Sequence, residues 1–211
     1  MKTNHTFTTP SNFVGYMVTH PNKWYDYFTK CGFSGKSSFD QELPWLSLPA
    51  IEFIEKFMDN SMKVFEFGGG GSTLFFANRS AEVTCQESDE VWIRIIENAL
   101  ERTDISNVKI NHQEFIVKPE NEFRKTSYVK SLPNKKFDVI LIDGPEIHGY
   151  RARPVCFDWA ENNINPGGII VVDDAWRYES LLRNNNAKEV KEMEGIGPGR
   201  MGLTKTDIYM Y

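Results

Sequence analysis

The chain has 211 residues, of which 24 are basic and 29 acidic, so its formal net charge is −5. A chain of this length forms one domain, or two at most, and builds a core without disulfides or metals. Apolar residues make up 40% of the chain and charged ones 25%, which excludes a chain disordered throughout. The excess of acidic over basic residues disfavours nucleic acid as a partner.

Three cysteines, Cys31, Cys85 and Cys156, are widely spaced and include no Cys-x-x-Cys pair. This spacing argues against a thiolate zinc site and favours a reducing compartment. The first residues lack the apolar segment of a secretory signal. No run of about 18 apolar residues occurs, as a membrane-spanning helix requires. We therefore expect a cytoplasmic protein without a membrane segment.

The first 48 residues are irregular in pattern and rich in aromatic side chains, from Trp24 to Trp45. A disordered tail rarely carries so many rings. We therefore predict that residues 1–48 form an aromatic-rich N-terminal cap, packed on a main domain of residues 49–211. Two uses of such a cap are open, which are closing an acceptor pocket and forming a homodimer contact.

From Pro49 onwards, strand and helix patterns alternate along the chain. The predicted strands are 63–67, 82–86, 108–111, 137–142, 168–172, 188–193 and 204–209. The predicted helices are 72–78, 89–102, 153–163 and a short one at 175–183. Continuous apolar strands alternating with helices indicate a mainly parallel sheet covered on both faces, while the last two strands pair antiparallel around the 195–202 loop.

A glycine-rich turn follows the first predicted strand, and an acid precedes it. In open parallel sheets the ligand lies outside the carboxyl ends of the strands, usually at such a turn. Gly68 and Gly70 permit positive φ and a close approach of a ligand, while Glu66 accepts from a cation or an amine. A dinucleotide-binding turn has a third glycine where Thr73 stands, which counts against a nicotinamide oxidoreductase.

A second acid, Glu87, ends the second predicted strand, where a carboxylate accepts hydrogen bonds from both hydroxyls of a ribose. The pattern therefore combines an acid for an amino-acid moiety, glycines for close approach and an acid for a ribose.

These residues resemble the motifs of class I S-adenosylmethionine-dependent methyltransferases. Glu66-x-Gly68-x-Gly70 resembles the first motif of that family, and Glu87 resembles its ribose-binding acid. Residues 137–143 and 166–174 are similar to the family's fourth and fifth strands, so the resemblance covers 49–211. It implies a Rossmann-like, doubly wound α/β fold whose seven-stranded, mainly parallel sheet has an antiparallel last strand.

A narrower resemblance is carried by residues 44–51, which include Pro44-Trp45, and by Gly71-Ser72-Thr73-Leu74. It points to bacterial methyltransferase-like proteins of unassigned acceptor.

The family resemblance implies S-adenosylmethionine as the cofactor and assigns its binding to residues of the turn and strand ends. These residues are Glu66, Gly68, Gly70, Ser72, Thr73, Glu87 and Asp143. The family places adenine contacts after the third strand, which makes Glu114 and Phe115 candidates, with a plain loop as the alternative.

Three acids are expected to converge, Asp143 after the fourth predicted strand and Asp173 and Asp174 after the fifth. Carboxylates so close repel one another, so either one holds a proton or a cation lies among them. Oxygen ligands suit Mg²⁺, which would lower the pKa of an acceptor hydroxyl. A similar arrangement occurs in catechol-type and macrolide-sugar O-methyltransferases. The alternative is that these acids are ordinary strand-end residues without a metal.

The loop after the fourth strand is expected to lie over the acceptor, so Asp143 and His148 are the candidate catalytic residues. His148 titrates near neutrality and suits a general base, with a solvated loop histidine as the alternative.

The leading hypothesis is a methyltransferase acting on an oxygen of a small molecule or sugar, with Mg²⁺ if the metal interpretation holds. The alternatives are a nicotinamide oxidoreductase and a non-catalytic protein of the same fold. A fourth class, the amino-directed nucleic-acid methyltransferases, has an Asn/Asp-Pro-Pro-aromatic motif. This chain has Asp143-Gly144-Pro145-Glu146 at that place, which counts against this class.

Overall fold

The computed structural model describes residues 9–130, 132, 135–147 and 150–211, and within them seven strands form one sheet. The strands are β1 (Lys63–Phe67), β2 (Glu82–Glu87), β3 (Val108–His112), β4 (Phe137–Ile142), β5 (Ile164–Val172), β6 (Glu189–Ile196) and β7 (Leu203–Met210). Their order is β3-β2-β1-β4-β5-β7-β6, and β7 runs antiparallel to both of its neighbours while the other pairs are parallel. The predicted mainly parallel α/β sheet is confirmed.

Helices cover both faces of the sheet. They are α1 (Pro10–Thr19), α2 (Trp24–Lys30), α3 (Ser38–Gln41), α4 (Leu48–Phe57), α5 (Gly71–Ala77), α6 (Glu90–Arg102), α7 (Glu120–Phe123), α8 (Ser127–Lys130) and α9 (Ala152–Glu161). Successive side chains of a strand point to opposite faces, so Val64 joins the core under α4 and α5, while Phe65 and Phe67 join the core under α9. None of the described helices is long and apolar enough to cross a membrane.

The N-terminal segment is more regular than its sequence pattern suggested, because its described part, residues 9–48, contains the helices α1, α2 and α3. Thr9 caps α1 by accepting the Asn12 N–H, and a capping box between Ser37 and Asp40 begins α3. Met17 and Leu46, both fully buried, share one core with strand residues. The segment therefore packs directly against the sheet layer, although several of its rings, including Trp24, remain exposed.

The predicted helix at 175–183 is wrong in type. The structure has two short 3-10 helices instead, Ala175–Arg177 and Glu179–Leu182. Asp174 begins this stretch in the left-handed conformation at φ 50°, and Tyr178 at φ −126° interrupts it. Neither backbone conformation continues an α-helix.

The N-terminal segment also packs on the glycine turn after β1. The Gly71 N–H lies 3.4 Å from the Ser38 hydroxyl oxygen. A Cβ atom at position 71 would clash with the Ser38 carbonyl oxygen and lie 2.6 Å from that of Leu43. Position 71 therefore requires glycine because the backbone of the N-terminal segment passes directly over it.

We predict that Gly71→Ala destabilises the protein by about 1–3 kcal/mol, because the added methyl group overpacks this contact. The control is Gly15→Ala in α1, where a Cβ meets nothing within 4 Å. That change should stabilise the fold by up to about 1 kcal/mol through helix propensity. Urea unfolding of both variants measures the difference, and equal stabilities would contradict the packing.

Candidate functional site

The two glycines of the turn between β1 and α5 have different surroundings. Gly68 adopts φ 84°, and a Cβ there would lie 2.6 Å from the Asp143 carbonyl oxygen. A Cβ at Gly70 would make only ordinary van der Waals contacts, with Ser38 and Trp92 at 3.8 Å. Gly68 thus allows the close approach of the ends of β1 and β4, whereas Gly70 is buried under Ser38 and Trp92 at the carboxyl edge of the sheet.

Glu66 faces inward from β1 and is fully buried. Its two carboxylate oxygens accept hydrogen bonds from the Ser72 hydroxyl at 2.7 Å and the Thr73 hydroxyl at 2.5 Å. Burial raises the pKa of Glu66 to about 7, while these hydroxyl donors oppose the shift. The structure thus brings three predicted cofactor-binding residues together, in a cluster that joins β1 to the first turn of α5.

Glu87 ends β2 beside the glycine turn, and both of its carboxylate oxygens accept hydrogen bonds from backbone N–H groups. Oε2 accepts from the Gly69 N–H at 3.1 Å, and Oε1 accepts from Ser88 and Asp89 at 2.6 and 3.0 Å. A carboxylate offers about four lone-pair sites. The Ser88 hydroxyl adds a fourth hydrogen bond to Oε1 at 3.4 Å, so these donors fix the orientation of Glu87. Oε2 accepts only the Gly69 bond and is the oxygen able to accept from a further donor.

Trp92 packs on the glycine turn beside Gly70. Its position five residues after Glu87 leaves two sequence interpretations open, which are a core residue and a side chain at the edge of the cofactor pocket. Its indole N–H donates to the Gly69 carbonyl oxygen at 2.6 Å, and its ring lies 5.5 Å from the Phe39 ring, measured between centroids. A side chain of the N-terminal segment thereby reaches the rim of the glycine turn. The ring is 37% exposed, so it offers an aromatic surface to a ligand.

The two residues predicted near adenine have different surroundings. Glu114 is exposed, while Phe115 is half-buried. The Phe115 ring makes edge contacts with the rings of Phe123, Tyr128 and Tyr150 at centroid distances of 5.1 to 6.0 Å. Phe115 therefore belongs to an aromatic cluster between the ends of β3 and β4.

A pocket of about 490 Å³ lies next to this aromatic cluster. Its lining includes Val117, Lys118, Tyr150, Arg151 and Val155. The Tyr150 hydroxyl donates to the Lys118 carbonyl oxygen at 2.9 Å and so joins the chain after β3 to the loop after β4. His148, a candidate general base, lies in that loop but outside the described residues.

The three predicted acids do converge, and arginine side chains lie among them. Arg153, at the start of α9 and only 6% exposed, donates to Asp143 Oδ1 at 3.0 Å and to the Asp173 carbonyl oxygen at 2.7 Å. Its Nη1 is also 3.8 Å from the Asp173 carboxylate. One guanidinium therefore connects the ends of β4 and β5.

Arg200 reaches the same acids from the turn between β6 and β7. Its Nη2 lies 2.8 Å from Asp174 Oδ1 and 3.5 Å from Asp173 Oδ2. Arg177 adds a third guanidinium at 3.7 Å from Asp174. Sequence reasoning missed the role of Arg200, because it lies more than 25 residues from the acids it contacts and no local motif marks it.

These contacts favour the alternative to the magnesium prediction for Asp143, Asp173 and Asp174, which is strand-end acids without a metal. The guanidinium groups of Arg153 and Arg200 supply positive charge beside the three carboxylates. Among the residues that the structure describes, no group of three or more His, Cys, Asp or Glu side chains is arranged to hold a metal ion.

The three acids Asp143, Asp173 and Asp174, with Arg153 and Arg200, form an acid–arginine cluster. Burial is the main cause of the pKa shifts of its aspartates. Desolvation raises the pKa of Asp143, and the charge of Arg153 opposes the shift. Desolvation raises the pKa of Asp173 further, and the nearby charges of Asp143 and Asp174 add to the effect. Asp143 therefore has a stronger affinity for protons than an ordinary surface aspartate.

The fold has counterparts among solved structures. A Streptococcus mutans protein in complex with SAH is 12% identical, with 79% of this chain and 99% of that chain covered and a TM-score of 0.54. The T. thermophilus 16S rRNA N2 G1207 methyltransferase, in complex with AdoMet and guanosine, is 17% identical at a TM-score of 0.59; 77% of this chain and 41% of that chain are covered. The class I methyltransferase fold is therefore shown.

A third structure with the class I fold is precorrin-6y C5,15-methyltransferase from Geobacter metallireducens GS-15. It is 11% identical, with 78% of this chain and 87% of that chain covered and a TM-score of 0.56. No protein-family model and no curated protein matches the sequence. At these identities the likeness establishes the fold, and the acceptors of the similar proteins differ among themselves.

We predict that Glu66 makes the stability of the protein pH-dependent. Its folded-state pKa of about 7 lies above the ordinary value of 4.5, so the folded protein holds this proton more tightly than the unfolded chain does. The contribution of Glu66 to the free energy of unfolding is therefore fully present below pH 4.5 and is lost as pH rises through 7. Relative to Glu66→Gln, the wild type should lose about 3 kcal/mol between pH 4.5 and 8. Urea unfolding across this range measures the loss, and parallel profiles would refute the assignment.

We also predict that Arg153→Gln destabilises the fold by about 3–5 kcal/mol, because it leaves Asp143 and Asp173 without their buried partner. The deficit should shrink as pH falls and these acids take up protons. Arg151→Gln is the matched control, since Arg151 is exposed and bonds only to the Ser180 hydroxyl within the described structure. Its effect should stay within about 0.5 kcal/mol, and similar losses in both variants would contradict the prediction.

Proposed function

We propose that the protein is an S-adenosylmethionine-dependent methyltransferase that methylates an oxygen of a small molecule. The observation that carries the proposal is the placement of Glu87 in a class I fold. Its carboxylate is held by three backbone donors, lies beside the glycine turn and has an oxygen, Oε2, that accepts only one hydrogen bond.

The residues at this edge fit the cofactor. Glu87 would accept from the ribose hydroxyls, the backbone of the glycine turn would lie against the amino-acid part, and Trp92 would line the rim. Phe115 offers an apolar ring for the adenine. When bound, S-adenosylmethionine supplies an electrophilic methyl group on a sulfonium, whose sulfur becomes a neutral thioether after transfer.

Asp143 is the described residue best placed to take the acceptor's proton. A hydroxyl acceptor would lose its proton on methylation, and the Asp143 carboxylate would take up that proton. The raised pKa of Asp143 favours this uptake, and Arg153 fixes the orientation of the carboxylate. His148 remains a second candidate for the base.

Arg153 and Arg200 already balance the acids, so no step in this proposal requires Mg²⁺.

The charge of the chain favours a small acceptor over a nucleic acid. Two of the similar structures are an rRNA methyltransferase and an rRNA methylase, at 17% and 11% identity. This chain carries a net charge of −5, whereas nucleic-acid binding draws its affinity from basic residues that neutralise phosphates.

Calorimetric titration with S-adenosylmethionine tests the proposed function. We predict binding by the wild type and a loss of about tenfold or more in Glu87→Ala, because the ribose hydroxyls lose a charged acceptor. Glu90→Ala is the control, since Glu90 is exposed at the start of α6 and pairs only loosely with Arg94 at 4.0 Å. No heat of binding at millimolar cofactor would refute the proposal.

A further inference from the structure

A second pocket lies between the N-terminal segment and the turn that joins β6 to β7. Its volume is about 530 Å³, within the range of about 300–1,000 Å³ that small-molecule sites occupy. Three rings, those of Phe13, Tyr27 and Phe33, form one wall, and Arg200 and Met201 of the turn form the other. Such a wall suits a planar, apolar ligand.

Arg200 is the one charged side chain among the described residues that line this pocket. Its Nη2 is engaged with Asp173 and Asp174, whereas its Nε is buried and has no hydrogen-bond partner within the described structure. A buried donor without a partner is unfavourable. Because both acids are buried and neither lines the pocket, a ligand entering it meets a guanidinium rather than a carboxylate.

Contacts from the N-terminal segment hold the turn in place around Arg200. The Gly32 N–H donates to the Arg200 carbonyl oxygen at 2.7 Å, and the Tyr27 hydroxyl donates to the Met201 carbonyl oxygen at 2.9 Å. A Cβ at Gly199 would lie 2.5 Å from the Trp45 ring, so the turn packs closely on that ring. Arg200 is thereby fixed between the aromatic wall and the acid–arginine cluster.

Arg200 links the pocket to the edge of the sheet where methyl transfer is proposed. Arg200 contacts Asp173, and Asp173 is connected through Arg153 to Asp143, the proposed base. The same N-terminal segment contacts the glycine turn through Ser38. One segment of chain therefore borders both the cofactor turn and the aromatic pocket.

We propose that this pocket binds the methyl acceptor, and that the acceptor is a small aromatic carboxylate whose anionic group pairs with Arg200. The inference rests on the proposed methyltransferase function and adds the substrate class to it. The three rings bury the ring of the acceptor, while the guanidinium donates charge-assisted hydrogen bonds to its carboxylate.

Calorimetry on protein saturated with S-adenosylhomocysteine tests this assignment. The probes are benzoate, 4-hydroxybenzoate and indole-3-acetate up to 10 mM, with 4-hydroxybenzamide as the neutral counterpart of the second. We expect at least one acid to bind, and 4-hydroxybenzoate to bind about tenfold or more tightly than the amide, because a hydrogen bond between charged groups is the stronger one.

Two variants locate the site. Phe33→Ala removes a ring that is 57% exposed and lines the pocket, and Arg200→Gln removes its charge. Each should weaken binding of the acid about tenfold. Tyr25→Ala is the control, since that ring is 75% exposed on α2 and lies outside the pocket, and it should leave the affinity unchanged. Because Arg200→Gln also disturbs the acids, Phe33→Ala keeps the test independent of folding.

The outcomes separate the two proposals. Failure of S-adenosylhomocysteine to bind would overturn the methyltransferase function itself. Cofactor binding without binding of any acid would overturn only the acceptor assignment. The acceptor assignment would also be overturned if an aromatic acid bound Phe33→Ala normally but did not bind Lys118→Ala. That acid would occupy the pocket beside the aromatic cluster, which Lys118 lines.

Discussion

The acid–arginine cluster is the constraint on which the rest of the site depends. The parallel strands β4 and β5 end side by side, which places Asp143 and Asp173 at adjacent points of one edge. Close carboxylates repel one another, so they take up a proton or need a cation among them. Arg153 supplies positive charge from α9, and Arg200 supplies it from the β6–β7 turn. The cluster therefore forms only when the strand ends, α9 and this turn, which are distant in sequence, come together.

The N-terminal segment completes this assembly. Its backbone passes over Gly71 at the start of α5, and it holds the turn that carries Arg200 through a hydrogen bond from Gly32. Met17 and Leu46 anchor the segment in the same core as the strands. The segment that the sequence pattern marks as an aromatic cap therefore shares its core with the sheet. It contacts the glycine turn proposed to hold the cofactor and lines the pocket proposed to hold the acceptor.

The sequence predicted the parts of this structure that local pattern determines. Apolar strands, the glycine turn and the acid at Glu87 follow from spacing, because strand order in an α/β sheet places strand ends at one edge. The helices of the N-terminal segment had readable caps at Thr9 and Ser37, but aromatic composition obscured them. Strand alternation was also informative about Glu66, since it shares a face with Val64 and so points towards α5. By contrast, Arg200 reaches the acids only through a long-range turn, and the identity of the cation depends on that tertiary contact.

A crystal structure of the protein grown with S-adenosylhomocysteine and excess Mg²⁺ would show both the cofactor contacts and the cation among the acids. We expect the ribose hydroxyls on Glu87, with Arg153 still on Asp143 and Arg200 still on Asp174. We expect no metal density among the acids. A magnesium ion bound by Asp143, Asp173 and Asp174 with the arginines displaced, or a cofactor bound away from the glycine turn, would contradict these expectations.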